Sequence, residues 1–137
     1  MSHPNVELIE AWATLMRVHD TNIIRRVFAP DADIEDVAMG VKCRGHAQIE
    51  QFYREIFDAF PDFLVITHAM VADANNGGVE FTQTGTHLGI AWGSPPTGRM
   101  LNIRGASVMQ FAGGRIASQR DYWSLPHYYE QLGLPLP

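Results

Sequence analysis

Asp121 is the residue whose type and surroundings best suit chemistry in this 137-residue chain. It sits in the run GGRIASQRDYW, a strand-like segment behind Gly113-Gly114. A carboxyl group beside an indole ring loses water, which raises its pKa toward neutrality. Such a group can both take and return a proton near pH 7. If Gly113-Gly114 forms a two-residue turn, Asp121 lies opposite Ala106 and Trp123 opposite Arg104. That register sets Arg104, Ala106, Val108, Gln119, Asp121 and Trp123 on one sheet face. Ala106 then leaves room in front of the carboxyl, while Arg104 and Asn102 on the facing strand become candidate substrate contacts. The competing reading is an ordinary ion pair of Asp121 with Arg104 or Arg120. A paired arginine lowers a carboxyl pKa and opposes acid chemistry.

Other polar residues follow from strand alternation. Gln83 and His87 share a face with Val79 and Phe81 if no bulge intervenes, and two polar groups among apolar ones line a pocket. His87 would hydrogen-bond a substrate carbonyl or assist proton transfer, or else serve as a structural histidine near Gly85 and Gly89. Asp33, Glu35 and Asp36 place one acid inward on an early strand, with the register left open. Trp12, Met16 and Phe52 are candidate pocket walls, although apolar pockets and cores read alike in sequence. No HxH or HExxH spacing supports a metal site. Cys43 is the one cysteine, so neither an internal disulfide nor a cysteine-built zinc site is expected. Nucleophile-elbow and phosphate-loop spacings are missing too, and no cofactor is implied.

The elements that must position these groups change character halfway along. Leu8, Ile9, Trp12, Leu15 and Met16 recur at helical spacing after Pro4-Asn5, and Ile23 to Phe28 continue as a short second helix. Asp33 to Val37 reads as a short strand. Helical spacing returns over His46 to Phe60 and stops at Pro61. Beyond it the period becomes two, over 63–72, 79–91, 99–111 and 115–123, with hairpin signals at Asn75-Asn76-Gly77-Gly78 and Gly113-Gly114. Helices followed by long antiparallel strands predict an α+β fold with the helices on one face of a curved sheet. Residues 1–137 are expected to form one domain. A net charge of -5 with scattered basic residues argues against a nucleic-acid surface. The lack of a long apolar run argues against a membrane span, and a cytoplasmic protein is expected.

Five short motifs taken together (AFPDF at 59–63, TGTHLG at 84–89, GSPPTGR at 93–99, GGRI at 113–116 and EQLGL at 130–134) resemble the SnoaL-like polyketide cyclases. These belong to the broad class with the nuclear-transport-factor-2-like fold, and the resemblance covers nearly the whole chain. It implies a cone-shaped α+β barrel, with three helices across a bent, mainly antiparallel sheet around an apolar pocket. It also implies a homodimer through the outer sheet surface. RDYW resembles the segment carrying the family's general acid/base, which assigns that role to Asp121. The implied reaction is cofactor-free closure of a ring in an apolar, carbonyl-containing substrate by aldol addition. Epoxide hydrolases, isomerases, tailoring hydroxylases and non-catalytic ligand-binding modules share the fold and stand as alternatives. Where many relatives carry a second Asp three residues after the first, this chain has Ser124.

Overall fold

The computed structural model describes residues 3–137. Helix α1 spans Val6–Val18 and buries Ile9, Trp12, Leu15 and Met16 along one face. It ends where His19 turns left-handed at φ 61°. A short α2, Ile23–Val27, leads directly into strand β1, Phe28–Asp36, and β2 follows at Val41–Arg44. Helix α3, Gly45–Ala59, buries Ile49, Phe52, Tyr53 and Phe57. Four strands come next: β3 Leu64–Ala72, β4 Asn76–Thr86, β5 Met100–Ala112 and β6 Arg115–Trp123. Helix α4, Leu125–Leu132, closes the order and packs on β5. Among the described residues no helix is long and apolar enough to cross a membrane.

The fold is α+β, with a curved six-stranded sheet in the order β2-β1-β6-β5-β4-β3. Pairing is antiparallel except between β1 and β6, which run parallel. The sheet is not closed into a barrel, since β2 and β3 form its two edges. Helices α1 and α3 pack on its concave side, against β3 and β1. Inward side chains alternate along β5: Leu101, Ile103, Ser107, Met109 and Phe111 are buried, and Asn102, Arg104, Ala106 and Val108 face out. Strand β2 and helix α4 lie outside the expected elements. At four residues β2 is too short to show alternation.

Two turn readings meet different fates. Gly113 and Gly114 hold φ of 60° and 74°, the left-handed pair that a tight primed turn needs. The β3–β4 turn instead comes earlier than the Asn-Asn-Gly-Gly run suggests. The carboxyl of Asp73 accepts the backbone N–H of Asn75 and Asn76 at 2.8 and 2.7 Å, so Gly77 and Gly78 already belong to β4. Gly77 is required for a different reason: a Cβ there would lie 2.7 Å from the Phe111 ring.

The register of the β5–β6 hairpin corrects the sequence reading by one residue. Next to the turn, Phe111 faces Ile116, as a simple two-residue turn dictates, but Gln110 faces Ser118. Ala117 is therefore unopposed, a one-residue β-bulge in β6. Every later pair shifts with it, so Asp121 faces Ser107 rather than Ala106, and Trp123 faces Gly105 rather than Arg104. Because side chains alternate at period two, this single residue moves Arg104, Ala106 and Val108 to the opposite face from Asp121.

Candidate active site

Two carboxyl groups enter the concave side from adjacent strands. The parallel pairing of β1 with β6 sets Asp36 beside Asp121, and the backbone N–H of Val37 donates to the Asp121 carbonyl at 3.0 Å. Asp36 is thus the inward member of the acidic trio left open in sequence, and both carboxyl groups are buried. Oδ1 of Asp121 accepts the Ser107 hydroxyl at 2.5 Å and the Gln119 amide at 2.9 Å. Oδ2 has no hydrogen-bond partner among the described residues. Asp36 is held more fully: Oδ1 accepts the Met39 backbone N–H at 2.9 Å, and Oδ2 accepts the Trp123 indole N–H at 3.0 Å.

Neither acid has an ion-pair partner among the described residues; the arginine bridges run to Asp33, Glu50 and Glu80. Burial dominates as a result. It pushes the Asp121 carboxyl up to about 6, against the lowering pull of Ser107 and Gln119, with a further rise from the charge of Asp36. Burial also raises Asp36, and hydrogen bonds from Met39, Trp123 and Ala38 hold that rise in check.

These acids open on a cavity with two lobes. Trp12, Met16, Phe52, Tyr53, Phe81 and Asp121 line the inner lobe, whose volume is about 40 Å3. Phe60, Trp92, Leu101 and Tyr128 line the outer lobe, of about 30 Å3. Asp36, Gln83 and Trp123 border both. Such volumes exceed the roughly 10–15 Å3 that one water needs but fall far below the ~300 Å3 of a pocket for a drug-sized ligand. Trp92, a wall of the outer lobe, stands at φ 45° in the connection between β4 and β5.

Of the residues singled out in sequence, Asp121, Gln83, Trp123, Trp12, Met16 and Phe52 meet around this cavity. Arg104 does not. It lies on the outer sheet face, 3.7 Å from Glu80, with its side chain 74% exposed. Asn102 also faces out, where its backbone exchanges hydrogen bonds with the Gln131 side chain of α4. The bulge at Ala117 accounts for both displacements. His87 is completely buried but lies one residue past β4 and lines neither lobe. Its Nδ1 accepts the Thr97 backbone N–H at 3.2 Å, and its Nε2 has no partner; the ring ties the β4–β5 connection to the core. Ser124 accepts the His127 backbone N–H at 3.4 Å and so caps α4.

Sequence reasoning missed Ser107, Gln119 as a carboxyl partner, Tyr53 and Tyr128. Ser107 required the true register, whereas Gln119 already shared the face of Asp121 and only its bond to the carboxyl was unread. The tyrosines sit within helical apolar patterns and carry no signal that separates a cavity wall from core packing.

A curved sheet with helices across its concave face is the ketosteroid-isomerase-like fold that structural neighbours share. The model of the SnoaL-like polyketide cyclases matches residues 6–132, and the chain belongs to that family. Solved structures agree in fold. One is a candidate SnoaL-like polyketide cyclase from Jannaschia sp. CCS1, at 19% identity and a TM-score of 0.87 over 99% of both chains. Another is IdmH from Streptomyces antibioticus, a candidate polyketide cyclase, at 21% identity and a TM-score of 0.81 over 96% of this chain and 100% of that one. A third, from Catenulispora acidiphila, has a ketosteroid-isomerase-like fold and was solved with trimethylamine; it shows 24% identity and a TM-score of 0.80 over 94% of both chains. No curated protein matches the chain in sequence.

Proposed function

We propose that this protein is a cofactor-free cyclase that closes a ring in a polyketide-like carbonyl compound, with Asp121 as its general acid/base. One observation carries the reading: Asp121 is buried without a cation, fixed through one oxygen, and free at the other where it borders an apolar cavity. As a carboxylate, Asp121 takes a proton from the carbon next to a substrate carbonyl, and the C–H electron pair passes into an enolate. The enolate carbon bonds to a second carbonyl carbon of the same molecule, whose π bond opens to an alkoxide. The alkoxide takes the proton back from Asp121, so the carboxylate is restored and product and substrate have equal mass. A pKa of about 6 suits both halves of that exchange at neutral pH.

Ser107 and Gln119 hold the carboxyl in place through Oδ1. Asp36 fixes the plane of the Trp123 indole, the wall that borders both lobes. An epoxide hydrolase of the carboxylate–arginine–carboxylate type has less support, because Arg104, the arginine that sequence offered for the middle position, lies outside the cavity.

The test uses synthetic diketones able to cyclise by aldol addition, with the equal-mass product followed by chromatography. Asp121→Asn should lower turnover by about 10²–10⁴-fold with little change in ligand affinity. In the unaltered protein kcat/KM should fall about tenfold per pH unit below pH 6. Full turnover by the Asn variant would sink this mechanism.

A further inference from the structure

Two buried acids line the inner lobe of this cavity, and the described residues supply no cation to either. Asp36 and Asp121 are 7% and 9% exposed, and the arginine bridges run to other carboxyl groups. Buried charges in folded proteins are normally paired, because an ion taken out of water loses its solvation. Both oxygens of Asp36 accept hydrogen bonds, from Met39 and Trp123. Asp121 differs: its Oδ2 has no hydrogen-bond partner among the described residues, and the residue lies on the wall of the lobe. Trp12, Phe52, Phe81 and Trp123 supply aromatic surface to the same lobe, and ring faces attract cations. The described residues gather no group of three or more metal-binding side chains, whereas a hard metal ion calls for about six ligands or more. An organic cation suits these walls better.

We infer that the inner lobe binds a small alkylammonium ion, which donates an N–H to the free oxygen of Asp121 and lays its alkyl part against the aromatic walls. The inference goes beyond the cyclase reading: it gives the lobe a second class of ligand and does not require Asp121 to move a proton. A volume of about 40 Å3 holds about three water-sized groups at roughly 10–15 Å3 each. That admits an ammonium nitrogen with one or two carbons, and a longer amine would extend past Trp123 into the outer lobe, which Trp123 also borders. A bound ammonium holds Asp121 ionised and occupies its free oxygen, so it competes with cyclisation. Asp36 on β1, Cys43 on β2 and Tyr53 on α3 are the titratable side chains that feel the charge of Asp121. Burial raises the Cys43 thiol and the Tyr53 hydroxyl, so both stay neutral at pH 7. The lining from α1, β3 and β4 carries no titratable group, which leaves the two acids to set the charge of the lobe.

The experiment titrates the protein with ethylammonium chloride and, separately, with ethanol, at ionic strength matched with sodium chloride. The two probes have equally many heavy atoms and differ in charge, and binding is followed by NMR through the Trp123 indole N–H. So small a probe reaches a Kd in the millimolar range at best. Ethylammonium should bind in that range at pH 8 and at least about tenfold more tightly than ethanol, the usual worth of a hydrogen bond to a charged group. Asp121→Asn, which keeps the shape of the side chain, should abolish that preference. In the unaltered protein, ethylammonium binding should strengthen about tenfold per pH unit as Asp121 ionises below about pH 6 and level off above it. This profile reads the same charge without any variant. Equal binding of the two probes, a preference that survives Asp121→Asn, or ethylammonium binding independent of pH between 5 and 8 overturns the inference. Diketone turnover separates it from the cyclase reading. Cyclisation that Asp121→Asn abolishes, in a protein that does not prefer ethylammonium, removes the cation site alone. A preference for ethylammonium together with full turnover by the Asn variant removes the cyclase mechanism and keeps the site.

Discussion

The two faces of the same β-sheet treat charge in opposite ways. On the outer face Arg104 and Glu80 lie 3.7 Å apart, with side chains 74% and 53% exposed. Water screens them, and such pairs contribute ~0–1 kcal/mol. On the inner face, Asp121 is buried without any cation and opposed by the charge of Asp36. Its hydrogen bonds soften the penalty without removing it. The outer pair costs little, while the inner acid is costly to ionise. The proposed function therefore rests on the place where the sheet is electrostatically least comfortable.

That contrast is sharpest in the response of stability to pH. Burial raises the Asp121 pKa in the folded state to about 6, against ~3.9 for a free side chain. The folded protein thus binds this proton more tightly than the unfolded chain does. Ionising Asp121 costs stability that is fully lost above pH 6, and the cost disappears as pH falls through 6 toward 4. A displacement of about two pKa units corresponds to about 3 kcal/mol. Asp121→Asn should accordingly stabilise the fold by about 2–3 kcal/mol at pH 8 and by almost nothing at pH 4, as read from urea unfolding at each pH. A gain of the same size at both values would mean that burial of charge is not the cause.

Smaller changes probe how the inner face sets that value. The hydroxyl of Ser107 pulls the Asp121 pKa down more than the neighbouring Asp36 pushes it up. NMR titration of the Asp121 carboxyl should therefore show a rise above 6 in Ser107→Ala, of about one unit or more for a hydrogen bond to a charged group. Asp36→Asn should show a smaller fall. Two shifts of the same sign would contradict the geometry. The outer face should be nearly silent: Arg104→Ala is expected to change stability by less than about 0.5 kcal/mol and to leave kcat/KM unaltered. A large loss of turnover there would return Arg104 to the site.

The legible and illegible parts of this molecule divide along the same physical lines. Periodicity exposed α1 and α3 because each buries a continuous apolar stripe. The Gly-Gly turn was readable from its need for positive φ. Asp121 was assigned by its resemblance to a family segment. Asp36 was not separable from Asp33 and Glu35, because the parallel pairing to β6 that turns it inward joins residues 85 positions apart. Arg104 and Asn102 were drawn to the wrong face by counting from the turn, since Ala117 looks like any other strand residue. Tyr53 shows the remaining difficulty: its ring reads as core, and only the folded chain places it beside the cavity.

The unopposed Ala117 has a consequence for how relatives of this protein are compared. Loss of the Ala117 codon would restore a simple hairpin and still leave Asp121 opposite Ser107, whereas the full chain closed without the bulge would turn Asp121 outward. A relative can thus lose one residue here, keep the acid in its cavity and carry it one position nearer the turn. Alignments anchored on the conspicuous Gly-Gly pair will then match amino acids that do not share a place in space. Anchoring on the partner strand, where Asp36 meets Asp121, compares positions that occupy the same site.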